Sequence, residues 1–375
     1  MTHSRSPSVE IDITKVVTKA MELSSHSWEY GTAAESLLEF DSSLSVFSRD
    51  PFPGNKIPLI QVDGCRSLQY AKEHIQVDRE TLCKDKNGVA DPASLGVSAI
   101  LLGQSEPSCR EAAHRQMEYI SKAPRYGNER ALSHRTDVKE AWADFIYMVP
   151  PFLAYLAVAE SETAHMKSAI HQCQAYRNVL ANDSTGPDQG LWHHIVGPLN
   201  ADPGYWSTSN GWVAAGLARV LATLKSWKLT RSWPAGSHIV SMIQDVLDGV
   251  IATDERRELE TLLPNYLYSK DEEPWFDEVA GTALLASTVY RMAVLEPQIF
   301  EGTDSRTKFR YLDWAENKRQ AVYKSVDPET GVARPAVNPL KHSQREPLMT
   351  GSPEGQSFVV LLWAAHRDYI ESRNS

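Results

Sequence analysis

The feature that most constrains the fold is an apolar helix that recurs along the chain, each copy preceded by a polar or glycine-bearing turn. In residues 209–224 the apolar positions follow the i, i+4, i+7 and i+8 spacing of one helix face. Similar segments occupy residues 93–104, 144–160, 280–293 and 354–366. Their starts, near Asp91, Asp144, Asn210, Gly281 and Glu354, lie 53 to 73 residues apart. A second, more polar helix fits each gap. The pattern therefore predicts a ring of helical hairpins whose opening residues converge at a central mouth.

Composition narrows the range of partners. The 375 residues include 38 Lys and Arg against 48 Asp and Glu, a formal net charge of −10. Nucleic-acid binders need clustered basic residues, so no nucleic-acid partner is predicted. The longest apolar stretch, residues 145–159, contains two prolines and is shorter than the roughly 20 residues that span a bilayer. We therefore expect no membrane helix. The first residues lack the apolar region of a secretion signal, which favours a cytoplasmic protein.

Cysteine spacing and short motifs exclude several chemistries. The four cysteines lie far apart without a CxxC pair, which favours reduced, buried thiols. His193 and His194 are adjacent and lack the spacing of metal ligands, so no metal is predicted. The chain has no GxSxG nucleophile motif, phosphate loop or dinucleotide fingerprint. Hydride transfer and phosphoryl transfer are therefore disfavoured. The oligomeric state stays open.

Two carboxylates stand out because each opens an apolar helix. Asp144 lies among Trp142, Phe145 and Tyr147, where partial desolvation would raise its pKa and suit it to general acid catalysis. Asp91 precedes Pro92 at another helix start. Both positions are also typical of helix N-caps, which is the alternative interpretation of each residue. As a pair, the two carboxylates could share acid and base roles at a glycosidic centre.

Aromatic residues cluster in the same loops. They are Trp192, Trp206, Trp212 and Trp275. Indole faces stack on sugar rings and other planar ligands, whereas an ordinary helical core would bury most of them along one stripe. The neighbouring glycine, serine and asparagine residues are compatible with a ligand platform, and both interpretations remain open at this point.

Six short segments together resemble the unsaturated uronyl hydrolases of glycoside hydrolase families 88 and 105, including the unsaturated rhamnogalacturonyl hydrolases. The segments are ADPASLG (90–96), WADFIYMVPPFLA (142–154), GLWHHIV (190–196), WSTSNGW (206–212), EVAGTALLA (278–286) and GSPEGQSF (351–358). They follow the order of the family and cover most of residues 85–365. The resemblance implies an all-α fold, the (α/α)6 barrel of six helical hairpins. With it, we expect residues 1–10 to be disordered and residues 11–375 to form one catalytic domain.

The resemblance also implies an unusual hydrolysis that requires no cofactor. A protonated aspartate delivers a proton to C4 of a terminal unsaturated uronic acid, and water adds at C5. The resulting hemiketal opens and expels the rest of the saccharide. Asp144 matches the general acid/base of the family, and Asp91 matches its companion carboxylate. The substrate-binding positions implied are Trp142, His134, Trp192, His193, Trp206, Thr208, Asn210 and Trp212.

One departure from the family pattern concerns recognition of the uronate. The pattern WxRGNGW places an arginine at the substrate end of the site, where this chain has Thr208 followed by Ser209. Losing a charge-assisted contact costs on the order of 1.5–3 kcal/mol unless another cation substitutes. Arg135, Lys139 and Arg345 are the candidates for that cation.

Three functions follow from these observations. The first is hydration of an unsaturated uronyl saccharide, with a small oligosaccharide as the partner. The second is a barrel repurposed for protonation, hydration or cyclisation of a non-sugar molecule in a biosynthetic pathway, favoured by Thr208 and by the tryptophan-rich loops. The third is a sugar-binding or scaffold protein on a degenerate barrel, which the presence of both Asp91 and Asp144 disfavours.

Overall fold

The computed structural model describes residues 9–41, 44–257, 261–268, 273–302 and 305–374, most of which are helical. The α-helices in these ranges are α1 (Ile13–Leu23), α2 (Ser27–Asp41), α3 (Arg66–His74), α4 (Gly96–Leu102), α5 (Pro107–Ser121), α6 (Phe145–Glu160), α7 (Thr163–Leu180), α8 (Ser207–Ser226), α9 (Ala235–Glu255), α10 (Val279–Leu295), α11 (Ser305–Lys324) and α12 (Pro353–Asn374). Short 3-10 turns occupy Pro53–Asn55, Val62–Gly64, Asp91–Leu95 and Pro339–Lys341, and a π turn occupies Gln298–Gly302.

In the described ranges, three antiparallel pairs of two-residue strands tie the loops at the helix ends. The strands are β1 (Arg125–Tyr126), β2 (Ala131–Leu132), β3 (Ala141–Trp142), β4 (Ile195–Val196), β5 (Leu263–Pro264) and β6 (Asp277–Glu278). They pair as β1 with β2, β3 with β4 and β5 with β6. In the second pair Ala141 lies opposite Val196 and Trp142 opposite Ile195. This pairing brings the loop before α6 beside the loop that follows α7.

The helices form two concentric rings. The even-numbered helices from α2 to α12 contact one another in succession, and α12 closes the ring against α2. Each of them also contacts an outer helix: α3, α5, α7, α9, α11 and α1, in the same order. Among the described residues this gives six inner and six outer helices. The predicted (α/α)6 barrel is therefore confirmed.

The inner helices lie inside because almost their whole surface is small or apolar. Every residue of α8 from Ser207 to Leu224 is buried, as is every residue of α6 from Phe145 to Val158. A helix that is apolar all round is stable only when it is enclosed. Glycine allows the closest approach, because a Cβ on Gly216 would overlap the backbone carbonyl of Ile146.

A buried ionic cluster connects four inner helices near their C-terminal halves. Glu39 of α2 binds Arg219 of α8 and also Arg291 of α10, the latter at 2.7 Å. Arg291 in turn pairs with Asp368 of α12 at 2.5 Å. Removing one member of such a cluster leaves an uncompensated buried charge, at a cost of about 3–5 kcal/mol. The cluster therefore fixes the inner ring at the end away from the helix starts.

The N-terminus that we expect to be disordered, residues 1–10, lies mostly outside the described residues. Within it, the backbone NH of Val9 donates to Gln320 at 3.1 Å. The four cysteines are buried and unpaired. None of the helices in the described ranges is both long enough and apolar enough to cross a membrane.

Candidate active site

The starts of the inner helices meet at one end of the barrel, and acidic side chains are concentrated there. Asp91 opens the 3-10 turn that leads into α4, and Asp144 immediately precedes α6. Glu278 caps α10, and Glu354 lies in the first turn of α12. The partial positive charge of a helix N-terminus stabilises negative groups nearby. We take this end of the barrel as the candidate active site.

Asp144 is buried and held by two partners. Ser209 in the first turn of α8 donates its hydroxyl to Oδ1 at 2.9 Å, and Nε2 of His194 lies 3.5 Å from Oδ2. The carboxylate makes no capping hydrogen bond to α6. Helix capping therefore does not account for this side chain. Ser209 occupies the position where the family pattern has glycine, so its hydroxyl is an addition in this chain.

Asp91 likewise points away from its own helix. Its Oδ1 lies 3.0 Å from Nε2 of His134, and it is the first residue of its 3-10 turn, whose N-cap is Ala90. The His134 ring stacks on the Trp142 indole, with centroids 4.9 Å apart and planes 10° apart. The indole NH of Trp142 donates to Glu140 at 3.0 Å. Asp91, His134 and Trp142 thus form one connected wall, with Asp144 two residues beyond Trp142.

His194 links Asp144 to a second polar group. Its Nδ1 lies 2.9 Å from Oδ2 of Asp202. Asp202 also accepts from the Tyr266 hydroxyl at 2.5 Å and from the backbone NH of Gly204 at 2.9 Å. The Tyr266 hydroxyl lies 2.9 Å from Nδ1 of His342. Within this network His194 and Tyr266 are buried, whereas Asp202 and His342 are partly exposed.

These contacts determine where charge resides. Burial opposes ionisation of Asp144, but the hydrogen bond and charge of His194, together with His134 and Ser209, outweigh it and lower the carboxyl pKa. The raised pKa expected from the apolar neighbours of Asp144 is therefore wrong, because these partners stabilise the charged form. Burial likewise opposes charging of His194, yet Asp144 and Asp202 raise its pKa to about 9. The pKa of His134 is raised because Asp91 outweighs the effect of burial. At neutral pH the site therefore holds ionised Asp144 beside a charged His194.

Two glutamates at the helix starts have raised pKa values. Burial raises the pKa of Glu278 to about 7, although it accepts from Ser207 and from the backbone of Ala280 and Gly281. Burial also raises the pKa of Glu354 well above its ordinary value. Oε1 of Glu354 accepts from the Trp28 indole at 2.8 Å, whereas Oε2 has no partner.

The tryptophans expected to contact substrate fall into two groups. Trp142 is partly exposed, and Trp206 lies 4.7 Å from the His194 ring while donating its indole NH to Asn265 at 2.7 Å. Trp192 and Trp212 are each 1% exposed. Trp212 packs edge-on against Tyr147 and against Phe358. Trp142 and Trp206 therefore lie beside the site histidines His134 and His194, and of these two indoles Trp206 is buried.

Asn210 and Thr208 are fully buried in the first turn of α8. The Asn210 amide accepts from the backbone NH of Trp192 and donates to the carbonyls of Trp192 and Trp206. These contacts lock the 190s loop onto α8. The Thr208 hydroxyl has no hydrogen-bond partner. An unsatisfied buried hydroxyl is costly, so Thr208 is a strained feature of this turn rather than an ordinary packing position.

Two of the three cations considered as replacements for the arginine have partners away from Asp144. Arg135 forms a two-point contact with Asp137 at 3.0 and 2.9 Å. Arg345 lies over the Trp275 ring at 3.7 Å and donates to the carbonyl of Glu273. Lys139 is exposed. The cation that directly faces Asp144 is His194.

Sequence reasoning missed His194 and its partners. It assigned His193 instead, whose ring stacks on Tyr205 and lies 2.6 Å from the Pro203 carbonyl. The two adjacent histidines lie in different surroundings, and His194 is the one that contacts Asp144. The family pattern GLWxH, counted from Trp192, indicates the second. Tyr266 and His342 come from distant loops and carry no local signal.

One cluster of described residues also has the donor types of a metal site. The ligand atoms of His194, Asp202 and His342 lie within 4.8 Å of one another. They are already hydrogen-bonded, directly or through Tyr266, and Asp144 occupies the other face of His194. We therefore assign no metal to this cluster, and the expectation that the reaction needs none stays a prediction.

Comparison with curated proteins finds one relative among unsaturated uronyl hydrolases. The chain is 24% identical over 192 residues to the unsaturated rhamnogalacturonyl hydrolase YesR of Bacillus subtilis strain 168. The match covers 48% of this chain and 50% of the relative, so it spans about half the length of the curated protein.

Comparison with solved structures extends over the whole barrel. A possible member of family GH105 from Salmonella enterica serovar Paratyphi A superposes with a TM-score of 0.70 at 15% identity, covering 95% of this chain and 93% of that one. The unsaturated glucuronyl hydrolase of Bacillus sp. GL1 gives 0.61 at 13%, covering 95% and 94%. These likenesses establish the shared fold. The family model described as Glycosyl Hydrolase Family 88 matches residues 66–291, more than half of the chain. The chain therefore belongs to glycosyl hydrolase family 88.

Proposed function

We propose that this protein hydrates the C4=C5 double bond of a terminal unsaturated uronyl residue and thereby releases the rest of the saccharide. The observation that carries the proposal is the buried Asp144, placed at the mouth of the barrel between Ser209 and His194. Membership of family 88 and the likeness to an unsaturated rhamnogalacturonyl hydrolase support the substrate class.

The chemistry assigns Asp144 both acid and base roles. Asp144, carrying a proton, delivers it to C4 of the enol ether, and positive charge develops at C5 beside the ring oxygen. The carboxylate that remains takes a proton from water as the water oxygen bonds to C5. The hemiketal then opens and the saccharide leaves. Asp144 regains the proton it gave, so the cycle consumes one water molecule.

The opposite wall positions the sugar in this proposal. Trp142 offers an indole face that the His134 ring already orders, and Asp91 fixes that ring. A preordered aromatic surface binds a sugar ring at low entropic cost. His134 and His194 supply the positive charge near the uronate carboxylate. Thr208 offers its unpaired hydroxyl in place of the arginine of the family pattern.

The class of substrate and the location of the protein in the cell are part of the same proposal. We expect a small molecule or oligosaccharide as the substrate, here a small acidic saccharide, and the net charge of −10 argues against nucleic acid. Because the substrate is also an anion, the local charge of the two histidines has to overcome the global field. The cytoplasmic location stays a prediction.

The test follows the enol-ether absorbance of unsaturated galacturonyl and glucuronyl disaccharides. We expect absorbance to fall with the native protein and with the control Asp63→Asn, which changes an exposed carboxylate in a surface turn. Asp144→Asn should slow the reaction by about 100-fold or more, because general acid catalysis contributes roughly 10²–10⁴. Absence of turnover across the panel by a folded native protein would contradict the proposal and favour the repurposed barrel.

A further inference from the structure

A continuous line of polar side chains runs from the buried Asp144 to the edge of the site. Nε2 of His194 lies 3.5 Å from Oδ2 of Asp144, and its Nδ1 lies 2.9 Å from Oδ2 of Asp202. The Tyr266 hydroxyl follows at 2.5 Å from Asp202, and Nδ1 of His342 at 2.9 Å from that hydroxyl. His342 is partly exposed, whereas His194 is 1% exposed.

Backbone groups hold this line in place. The NH of Gly204 donates to Oδ1 of Asp202 at 2.9 Å. The Asn265 amide donates to the His342 carbonyl at 2.7 Å and fixes the indole of Trp206 at 2.7 Å. Trp206 in turn lies beside the His194 ring. The network is therefore rigid, as a group that has to present a proton at one defined atom requires.

The orientation of the His194 ring follows from its two partners. Asp202 accepts hydrogen bonds from Tyr266 and from a backbone NH, which keeps it ionised. An ionised carboxylate at Nδ1 retains a proton there and increases the basicity of the ring. The Nε2 hydrogen of the charged ring then faces Oδ2 of Asp144. A proton is thus present at the pair even though Asp144 itself is ionised.

We propose that His194 stores the proton that Asp144 delivers, and that Asp202, Tyr266 and His342 connect this store with solvent. This inference rests on the proposed function and assigns His194 a positioning role behind the catalytic carboxylate. The proton moves from Nε2 of His194 to Oδ2 of Asp144 and then to C4 of the substrate. The proton that water releases returns to Asp144 and from there to Nε2, so His194 is unchanged after one turnover.

The pH dependence that follows involves every charged group facing the ring. Asp144 faces it from the start of α6, Asp202 from the loop after β4, and His342 from the 339–350 loop. The two carboxylates favour the charged form of the His194 ring. Burial lowers the pKa of His342 to about 4, so His342 is neutral near pH 7. His134 acts on Asp144 from the other side. Turnover should therefore decline as pH rises through about 9, where His194 loses its proton.

The discriminating variant is His194→Gln, whose amide can still donate to Asp144 but cannot titrate. His238→Gln, an exposed histidine on α9, is the matched control. We expect kcat of His194→Gln to fall by roughly 10²-fold or more, with KM changed little. In the plot of kcat against pH, the fall of this variant at alkaline pH should move to lower pH by about 2 units or more. Without His194, Asp144 has to take its proton directly from solvent. A native kcat and an unmoved fall at alkaline pH in this variant would overturn the proposal.

A second measurement does not depend on turnover. Nitrogen-15 NMR of the histidine rings in the resting native protein should show the His194 ring charged at pH 7 and titrating near pH 9, assigned through the signal missing from His194→Gln. A neutral His194 ring at pH 7 would overturn the proton store. The proposed function would be overturned by a different result: the His194 ring is charged, but Asp144→Asn turns over substrate as fast as the native enzyme.

Discussion

The charge on His194 should be measurable as a contribution to stability. The ring pKa rises from 6.5 in the unfolded chain to about 9 in the fold, because the pull of Asp144 and Asp202 exceeds the cost of burial. One pKa unit corresponds to about 1.4 kcal/mol, so the charged ring stabilises the fold by about 3 kcal/mol. For a raised pKa, this contribution is fully present below about pH 6.5 and is lost as pH rises through about 9. His194→Gln removes the titration while leaving a donor toward Asp144.

The assay is urea unfolding of the native protein and of His194→Gln at pH 6 and at pH 9.5. The free energy of unfolding of the native protein should fall between these values by about 3 kcal/mol more than that of the variant. The lowered pKa values of Asp144 and Asp202 do not interfere, since their contribution is lost only in acid. His238→Gln should behave like the native protein. Equal pH dependence in native protein and His194→Gln would refute the assignment of a charged, doubly paired ring.

Three further predictions follow from the same structure. Thr208→Arg should lower KM for an unsaturated uronyl disaccharide by about 10-fold, because it adds one charge-assisted hydrogen bond, whereas Thr208→Gln should leave KM unchanged. Equal KM values for the two variants would argue against a carboxylate site at this position. Gly216→Ala should lower the free energy of unfolding by about 1–3 kcal/mol through overlap with the Ile146 carbonyl, and Gly236→Ala, which meets only ordinary contacts, should not. Asp91→Asn should lower the pKa of His134 in a ring titration, because Asp91 is the group that raises it; an unchanged pKa would remove Asp91 from that role.

The fold was predictable because its signal is long and repeated. The spacing of the apolar segments gave the ring of hairpins before any relative was considered, and it also placed Asp144 and Asp91 at the helix starts. In every (α/α)6 barrel inner and outer helices alternate along the chain, and this alternation determines where the starts of the inner helices lie. Whether the two carboxylates cap their helices could not be decided in the same way, because both a cap and an active-site acid favour that position. The partners His194 and His134 settle it in the structure.

The remaining site residues depend on contacts that no local pattern contains. The Tyr266 hydroxyl contacts Asp202, which is 64 residues away in the sequence, and His342, which is 76 residues away. Which of Trp206 and Trp212 contacts His194 is equally non-local, because Trp206 caps α8, Trp212 lies inside it, and both indoles are buried. The sequence of a helix buried all round does not show which neighbour each indole meets. Ser209 was visible as a departure from the family pattern, but its contact with Asp144 requires the packing of α8 against α6.

Proton delivery to C4 is the central claim, and isotope incorporation tests it most directly. The native protein is allowed to act on an unsaturated uronyl disaccharide in deuterium oxide, and the products of the first turnovers are examined by proton NMR. Hydration through Asp144 predicts one deuterium placed at C4 on a single face as the saccharide is released, and none on the same timescale with Asp144→Asn. Release of the saccharide with the C4=C5 bond intact and C4 unlabelled would contradict the account, because the glycosidic bond would then have been cleaved directly.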